Sequence, residues 1–243
     1  MEYKFIDMHC HILPGVDDGA QNIAETRAML KMAYDEGIRL IIATPHHHER
    51  RGHATPEQLR TALIAARREA QQISPELEIY LGCEVYWGHE IPDKLRSGQV
   101  LTMNQTRTVL VEFSPGDEYD RIRRAVQRLQ MSGYDVIIAH AERYECLLDD
   151  WDLASELYDM GAQIQINAGS ILGDMGRSAK KFVRWLMEEN MVFGVGTDCH
   201  DTKKRAPRMK KAAHKVMRRY GEKYMKKIFF DNPLELLEMR EER

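Results

Sequence analysis

The amino-acid sequence predicts an α/β fold in which a parallel sheet closes, or nearly closes, into a barrel. Short apolar strands alternate with amphipathic helices through seven repeats in 243 residues, which is typical of a parallel sheet. No glycine-rich nucleotide-binding turn follows the first strand, so a barrel is favoured over an open doubly wound sheet. No linker or low-complexity tract interrupts the pattern, and we expect one domain over residues 1–243.

The predicted strands are short and rich in Ile, Val and Leu, as buried parallel strands are. They are Tyr3–Met8, Arg39–Thr44, Glu78–Val85, Thr108–Phe113, Asp135–His140, Ala162–Asn167 and Val192–Asp198. Amphipathic periodicity predicts helices over Ala20–Glu36, Pro56–Ile73, Asp117–Met131, Trp151–Met160 and Ser178–Asn190. Gly37, Gly133 and Gly161 follow three of these helices, where a left-handed cap would fall.

Composition narrows the class of protein. Hydrophobic residues make up 43% of the chain and charged residues 30%, and the net charge of −3 argues against bulk nucleic-acid binding. The apolar runs are too short to cross a bilayer, and the first residues do not resemble a signal peptide, so we expect no membrane insertion. The four cysteines are scattered without a CxxC pair, which predicts reduced thiols and a cytoplasmic location.

The segment Lys203–Lys227 departs from the strand–helix pattern because it is dense in Lys and Arg. A solvated helix face is the favoured interpretation of such a run of charge. The alternative is a docking surface that attracts an acidic or phosphorylated segment of a partner.

Side chains able to bind metal stand at the ends of six of the seven predicted strands. They are His9 and His11, His46, Glu84, Glu112, His140, and Asp198 with His200. The carboxyl ends of parallel barrel strands meet at one mouth, so we expect these residues to converge there on a metal site. Imidazole and carboxylate without thiolate suit Mn²⁺, Fe or Zn²⁺, and the number of ligands predicts more than one ion, with Glu84 as the bridging carboxylate.

Three cysteines lie one residue away from these candidate ligands. They are Cys10, Cys83 and Cys199. Strand alternation points them to the opposite face, so we expect small buried apolar side chains rather than ligands.

Three motifs resemble those of the PHP (polymerase and histidinol phosphatase) superfamily. They are Asp7-Met-His9-Cys-His11-Ile-Leu-Pro-Gly-Val-Asp17-Asp18-Gly19, Ala139-His140-Ala-Glu-Arg143-Tyr144, and Thr197-Asp198-Cys-His200 followed by Arg205. Together they look like the CpsB-type bacterial protein-tyrosine phosphatases of capsule and exopolysaccharide gene clusters. The resemblance covers essentially the whole chain and implies a distorted (β/α)7 TIM-like barrel, the PHP fold.

This resemblance implies a site for three divalent ions, with Mn²⁺ favoured. It assigns His9, His11, Glu84 and Asp198 to the first ion, Glu84, Glu112 and His140 to the second, and Asp18, His46 and His200 to the third. Asp18 stands where several members of the superfamily have histidine, which favours the tyrosine-phosphatase branch. Ala141 stands where the family often has proline, and strand register favours His46 over His47 as the ligand.

The implied chemistry is attack of a metal-activated water on a phosphate monoester. Arg143 and Arg205 would stabilise charge on the phosphate oxygens, and Asp7 would orient ligands or transfer a proton. The implied partner is a phosphotyrosine-bearing protein, in particular the tyrosine-rich tail of a bacterial tyrosine kinase.

Several alternatives remain open at the level of sequence. Cys199 and Arg205 have the spacing of a cysteine-dependent phosphatase loop, but the intervening residues lack the glycine that such a phosphate cradle generally needs. Other candidates are a phosphatase of a small monoester such as histidinol phosphate, an amidohydrolase, and a metal-bound regulatory module without turnover. The third-ion residues argue against an amidohydrolase, and the two arginines argue against the regulatory module.

Overall fold

A computed structural model describes residues 3–48 and 53–238 of the protein. The strands in this part of the chain are β1 Phe5–Cys10, β2 Ile38–Ala43, β3 His46–His47, β4 Glu78–Leu81, β5 Glu84–Tyr86, β6 Thr108–Glu112, β7 Asp135–Ile138, β8 Gln163–Asn167 and β9 Val192–Gly196. The helices are α1 Ile23–Asp35, α2 Pro56–Ile73, α3 Ile91–Arg96, α4 Tyr119–Met131, α5 Glu145–Asp149, α6 Asp152–Asp159, α7 Ala168–Leu172, α8 Gly176–Glu188, α9 Lys210–Tyr220, α10 Glu222–Lys226 and α11 Asn232–Glu238.

The strands form two parallel sheets that together make a distorted barrel. One sheet has the order β1-β2-β4 and the other β3-β5-β6-β7-β8-β9. The strand β3 continues β2 after a short break, and β5 continues β4 in the same way, so the nine strands correspond to seven strand positions around the barrel. The predicted (β/α)7 architecture is confirmed. At the carboxyl ends, the amide of Asp198 donates to the carbonyl of His9 at 2.7 Å and that of His11 donates to Cys199 at 2.9 Å, which joins the two sheets.

Two predicted strands end earlier than expected, and one is interrupted. His140 has φ of 31° and Asp198 has φ of 52°, so the backbone leaves the extended region before either residue and β7 and β9 end two residues sooner. The prediction of one strand over Glu78–Val85 was wrong, because the chain breaks between Leu81 and Glu84 and changes sheets there.

The five predicted helices all form, and their ends follow local chemistry. The helix α2 has the predicted bounds because Thr55 caps it in a reciprocal box with Gln58, and Pro56 occupies its first turn. The glycines at 37, 133 and 161 have φ between 87° and 89°, so the predicted left-handed caps are confirmed.

The inside of the barrel is apolar at its floor and polar at its mouth. Met8, Ile42, Leu110 and Ile137 pack together within the ring of strands, and Leu236 of α11 closes the floor from below. A register shift lies between Asp7 and Cys10 in β1. Such an irregularity redirects side chains where a strand reaches a functional site.

No helix in residues 3–48 and 53–238 is long and apolar enough to cross a membrane. The basic segment forms α9 and α10 with the turns around them. Ala212, Ala213 and Val216 bury the inner face of α9, and its Lys and Arg side chains are on the exposed face.

Candidate metal centre

All nine residues predicted to bind metal lie at the mouth of the barrel. Six of them lie at or just beyond the ends of β1, β6, β7 and β9, His46 and Glu84 begin the short strands β3 and β5, and Asp18 comes from the loop between β1 and α1. Three groups drawn from these nine residues have donor atoms within 4.8 Å of one another: His9, His11 and Glu84; His46, Glu84 and Glu112; and His11, Asp18, His46 and His200. Glu84, His11 and His46 each belong to two groups, so the three groups form one continuous cluster.

Glu84 is at the centre of the cluster and is fully buried. Its Oε2 atom lies 3.1 Å from His9 Nε2, 3.2 Å from His11 Nε2 and 3.0 Å from His46 Nδ1. His140 Nε2 lies 2.7 Å from the other oxygen. Despite these neighbours, Glu84 Oε2 and His46 Nδ1 are buried without a hydrogen bond in the described structure. Buried polar atoms are seldom left so, and ring nitrogens directed at a carboxylate oxygen are the donor set that a divalent cation requires.

A second part of the cluster surrounds His46. Its Nδ1 atom is 3.1 Å from Glu112 and its Nε2 atom is 3.4 Å from Asp18, so with Glu84 the ring faces three carboxylates. His200 Nε2 lies 3.3 Å from the same Asp18 oxygen. His47 instead packs its ring 4.0 Å from that of His53, outside the cluster.

The two neighbouring histidines, His46 and His47, differ strongly in pKa. Burial lowers the pKa of His46, but the nearby carboxylates of Glu112 and Glu84 outweigh this and raise it to about 10. Burial and the nearby His53 lower the pKa of His47 to about 4. Burial raises the pKa of Glu84, yet the surrounding imidazoles hold it well below its usual value. Of the two rings, only that of His46 faces the carboxylates of the cluster, and without a cation these carboxylates favour its protonated form.

Asp198 is held by two arginines at the edge of the cluster. Arg143 pairs with its Oδ2 atom, and Arg205 Nη2 donates to Oδ1 at 2.6 Å. Asn167 Nδ2 also donates to Oδ2, at 2.9 Å. Burial raises the pKa of Asp198, but His11, His9 and the arginine cation hold it well below its usual value. Positive charge thus stands beside the cluster, where an anionic substrate would arrive.

Three supporting residues were missed by sequence reasoning. Asp17 Oδ2 is 2.7 Å from His11 Nδ1, so it orients that ring from behind. Gln165 Oε1 lies 3.1 Å from His9 Nδ1 and accepts the amide of His140 at 2.7 Å, and its Nε2 donates to Asn167 at 2.9 Å. A signal for the two amides was present in the sequence. The end of β8 is the one predicted strand end without an imidazole or carboxylate, and it carries Gln165 and Asn167 instead.

Asp7 is buried beneath the cluster and binds the end of β9. Its carboxylate accepts the Thr197 amide at 2.9 Å and the Thr197 hydroxyl at 2.5 Å, and the amide of His9 at 3.3 Å. Burial raises the pKa of Asp7 to about 6. These contacts connect the strand that carries His9 to the strand that leads to Asp198.

The loop from Cys199 to Arg205 is not a phosphate cradle. Asp201 Oδ1 accepts the amides of Lys203 at 2.5 Å and Arg205 at 3.2 Å, so a side chain of the loop already occupies its backbone donors. Cys199 itself is fully buried. Cys10 and Cys83 are buried too, so the expectation of small interior side chains is confirmed.

A cleft of about 530 Å³ opens beside the cluster. Arg143, Asp198 and Arg205 form its inner wall, and Leu172, Lys204 and Arg208 line it farther out. A ligand in this cleft would have its anionic end against the arginines and next to Asp198.

A parallel barrel whose mouth gathers imidazoles and carboxylates beside an arginine-lined cleft defines a candidate metal-dependent hydrolase. The fold alone is similar to the Escherichia coli phosphotriesterase homology protein solved with phosphate in its active site, with a TM-score of 0.63 at 11% identity over 97% of this chain and 99% of that chain. Residues 5–238 match the family described as capsular polysaccharide synthesis, CpsB/CapC. The chain belongs to this family, and the resemblance seen in its motifs is confirmed.

Relatives within the family are similar over nearly their full length. The tyrosine-protein phosphatase CpsB of Streptococcus pneumoniae is 32% identical over 96% of this chain and 98% of its own. The tyrosine-protein phosphatase YwqE of Bacillus subtilis is 33% identical over 89% and 85%. A structure from work on YwqE and CpsB, described as unique metal-dependent tyrosine phosphatases, superposes with a TM-score of 0.90 at 31% identity, covering 97% of this chain and 95% of that chain.

Proposed function

We propose that this chain is a metal-dependent phosphatase that hydrolyses phosphotyrosine in a protein substrate. The observation that carries the proposal is the position of Glu84, whose carboxylate is contacted by four imidazoles and whose Oε2 atom has no hydrogen bond. The names of the relatives, which are tyrosine-protein phosphatases, support phosphotyrosine as the substrate. The family description supports a role in capsular polysaccharide synthesis.

Mixed oxygen and imidazole donors without thiolate suit Mn²⁺, Fe or Zn²⁺, and the resemblance to the family favours three ions and Mn²⁺ among these metals. The proposed holders are His9, His11, Glu84 and Asp198 for one ion, Glu84, Glu112 and His140 for the next, and Asp18, His46 and His200 for the third. When bound, such ions lower the pKa of a bound water to about 7 and so supply hydroxide at neutral pH.

The residues beside the cluster position the phosphate. Arg143 and Arg205 each reach Asp198 and line the cleft, so their guanidinium groups are placed to donate to the phosphate oxygens as charge develops on them. Asn167 steadies Asp198 from the other side. The leaving phenolate has a pKa near 10 and departs readily, so strong general-acid assistance is not required.

The substrate side of the proposal is a segment of protein. The cleft is continuous with an exposed basic surface, which suits a phosphotyrosine carried on a polypeptide. A bacterial tyrosine kinase with a tyrosine-rich tail is the proposed partner. The cysteines of the chain are free thiols, as in a reducing compartment, and the proposed location is the cytoplasm.

Three measurements test this function. Phosphate release should be several-fold faster from phosphotyrosine peptides than from histidinol phosphate at equal concentration, and the reverse order would reject the assignment. Chelation should abolish turnover. Restored Mn²⁺ at a hundred times its Kd should stabilise the fold by about 2.7 kcal/mol, which raises the Tm by about 5–11 °C. An unchanged Tm would contradict a metal centre independently of any activity.

A further inference from the structure

The surface beside the cleft carries strongly concentrated positive charge. Residues 202–221 contain nine Lys or Arg residues and no Asp or Glu, although the whole chain has a net charge of −3. In α9, the side chains of Lys211, Lys215 and Arg218 are exposed. A field of this kind attracts and orients an anionic partner.

This charge lines a groove that begins at the cleft. Leu172 borders the cleft and also a second cavity of about 630 Å³, which is lined by Lys211, Lys215 and Arg218. Lys215 borders in turn a third cavity of about 510 Å³ between α8 and α9, with Val183 and Val216 in its wall. The three cavities are joined by shared residues, and together the second and third form what we call the basic groove.

Two lysines of the basic groove donate to neighbouring backbone carbonyls. Lys215 Nζ donates to the carbonyl of Ile171 at 2.5 Å, and Lys180 Nζ donates to the next carbonyl, that of Leu172, at 3.1 Å. Within residues 3–48 and 53–238, neither ammonium group has a carboxylate within ion-pairing distance, whereas Arg184 and Arg219 of the same cavity both pair with Glu188. Burial and the neighbouring Lys180 lower the pKa of Lys215. The ammonium groups of Lys180 and Lys215 therefore give this part of the groove a positive charge that a bound anion would neutralise.

We propose that the basic groove binds an acidic segment of the same protein substrate whose phosphotyrosine occupies the cleft. The inference rests on the proposed function and adds the chemistry of the flanking sequence. Each residue of an extended peptide spans up to about 3.3–3.6 Å, so a short run of residues leads from the cleft into the groove. The apolar walls suit the methylene groups of Glu side chains, and the ammonium and guanidinium groups suit their carboxylates. A concave groove that starts at the active-site cleft favours a peptide over a flat lipid surface.

Paired peptides test the proposal. Each carries one phosphotyrosine and a run of Glu, placed on its amino or its carboxyl side, and its partner carries Gln at the same positions. For one of the two placements, kcat/KM at low ionic strength should be roughly fivefold to tenfold higher with Glu, through KM, as expected for several exposed ion pairs. The advantage should fall with added salt. Equal kcat/KM for Glu and Gln peptides in both placements would overturn the proposal.

Variants locate the effect on the groove. Lys211→Gln with Arg218→Gln should remove most of the preference for Glu and leave hydrolysis of free phosphotyrosine unchanged. Reversal to Lys211→Glu with Arg218→Glu should transfer the preference to a peptide with Lys in place of Glu. The matched control, Lys31→Gln with Lys181→Gln, removes two exposed lysines from α1 and α8 and should behave like the wild type. An equal loss of preference in the control would refute the assigned location.

A binding measurement separates this inference from the proposed function. The fluorescence anisotropy of a labelled, unphosphorylated Glu peptide reports docking in the groove whether or not the protein hydrolyses phosphotyrosine. Docking without hydrolysis would contradict the proposed function and leave this inference standing. Tighter binding to phosphatidylserine vesicles than to the Glu peptide, lost in the groove variant, would assign the surface to a membrane and overturn the proposal.

Discussion

Asp17 lies directly behind His11, with its Oδ2 atom 2.7 Å from His11 Nδ1. The same oxygen accepts the backbone amide of His46 at 3.1 Å, and Oδ1 accepts the amide of Gly19 at 2.9 Å. One carboxylate therefore orients a histidine of β1, positions the start of β3 and holds the turn that carries Asp18. Its pKa is lowered, because the charge and hydrogen bond of His11 outweigh burial.

Asp17→Asn should weaken metal binding about 10–100-fold, the usual effect of losing a carboxylate that orients a ligating histidine. The amide keeps the size of the side chain and loses the charge that fixes the tautomer of His11. Calorimetric titration with Mn²⁺ measures the effect. Asp35→Asn, which alters an exposed carboxylate paired with Lys31, is the control. Equal affinities in the two variants would show that Asp17 does not support the site.

Metal affinity should rise with pH through the neutral range. The pKa of His46 is raised to about 10 in the protein without metal, so its ring is protonated at pH 7 and must lose a proton to bind a cation. The Kd should therefore fall about tenfold per pH unit for each proton displaced. The raised pKa of His46 has the opposite effect on the stability of the metal-free protein, which falls as pH rises. The contribution of His46 to the free energy of unfolding is complete below about pH 6.5 and is lost as pH rises through about 10.

Titration calorimetry in two buffers of different ionisation enthalpy counts the protons released on binding. At least one proton per protein is expected at pH 7. A proton count of zero, with affinity independent of pH, would contradict the assignment of His46 as a protonated metal ligand.

Gly196→Ala should destabilise the fold and displace His9. A Cβ at position 196 would lie 2.5 Å from His9 Cβ and 3.1 Å from the His9 carbonyl, at the junction of β9 and β1. Overpacking of this kind costs about 1–3 kcal/mol, which lowers the Tm by about 2–12 °C. Gly116→Ala is the matched control, because the nearest atom to its Cβ is Glu145 Oε2 at 3.8 Å. A Tm for Gly196→Ala that matches this control would show that β1 and β9 tolerate separation.

Cys199→Ala should retain phosphatase activity and metal content. Cys199 is fully buried, and Asp201 occupies the amides that would have to cradle a phosphate, so the thiol has no access to substrate. Steady-state kinetics with a phosphotyrosine peptide, together with metal analysis, measures the outcome. Complete loss of turnover with a normal metal content would reinstate a cysteine nucleophile.

Much of the fold could be predicted because most strands and helices carry their own local sequence pattern. The apolar runs of β6 and β8 and the capped helix α2 depend on local periodicity and end signals, and their positions agree with the sequence to within a residue or two. The break between β4 and β5 was missed although Gly82 lies inside Glu78–Val85, because a glycine marks a possible bend in a strand but does not reveal that the pairing partners change there. The ends of β7 and β9 depend on positive φ at His140 and Asp198, which the tertiary contacts of the site impose.

For the site, the sequence by itself determined the kinds of donor atom and the strand ends that carry them. Parallel strands in a barrel must end at one mouth, so residues such as His9, Glu84 and His140 had to approach one another. Only the tertiary structure decided how they are oriented: Asp17 turns to His11, Gln165 to His9, and Asp7 to Thr197 rather than to the cluster. These contacts join residues of different strands and loops, and spacing along one strand carries no information about them. Composition recorded the charge of residues 203–227, and folding alone placed part of that charge in a groove that begins at the cleft.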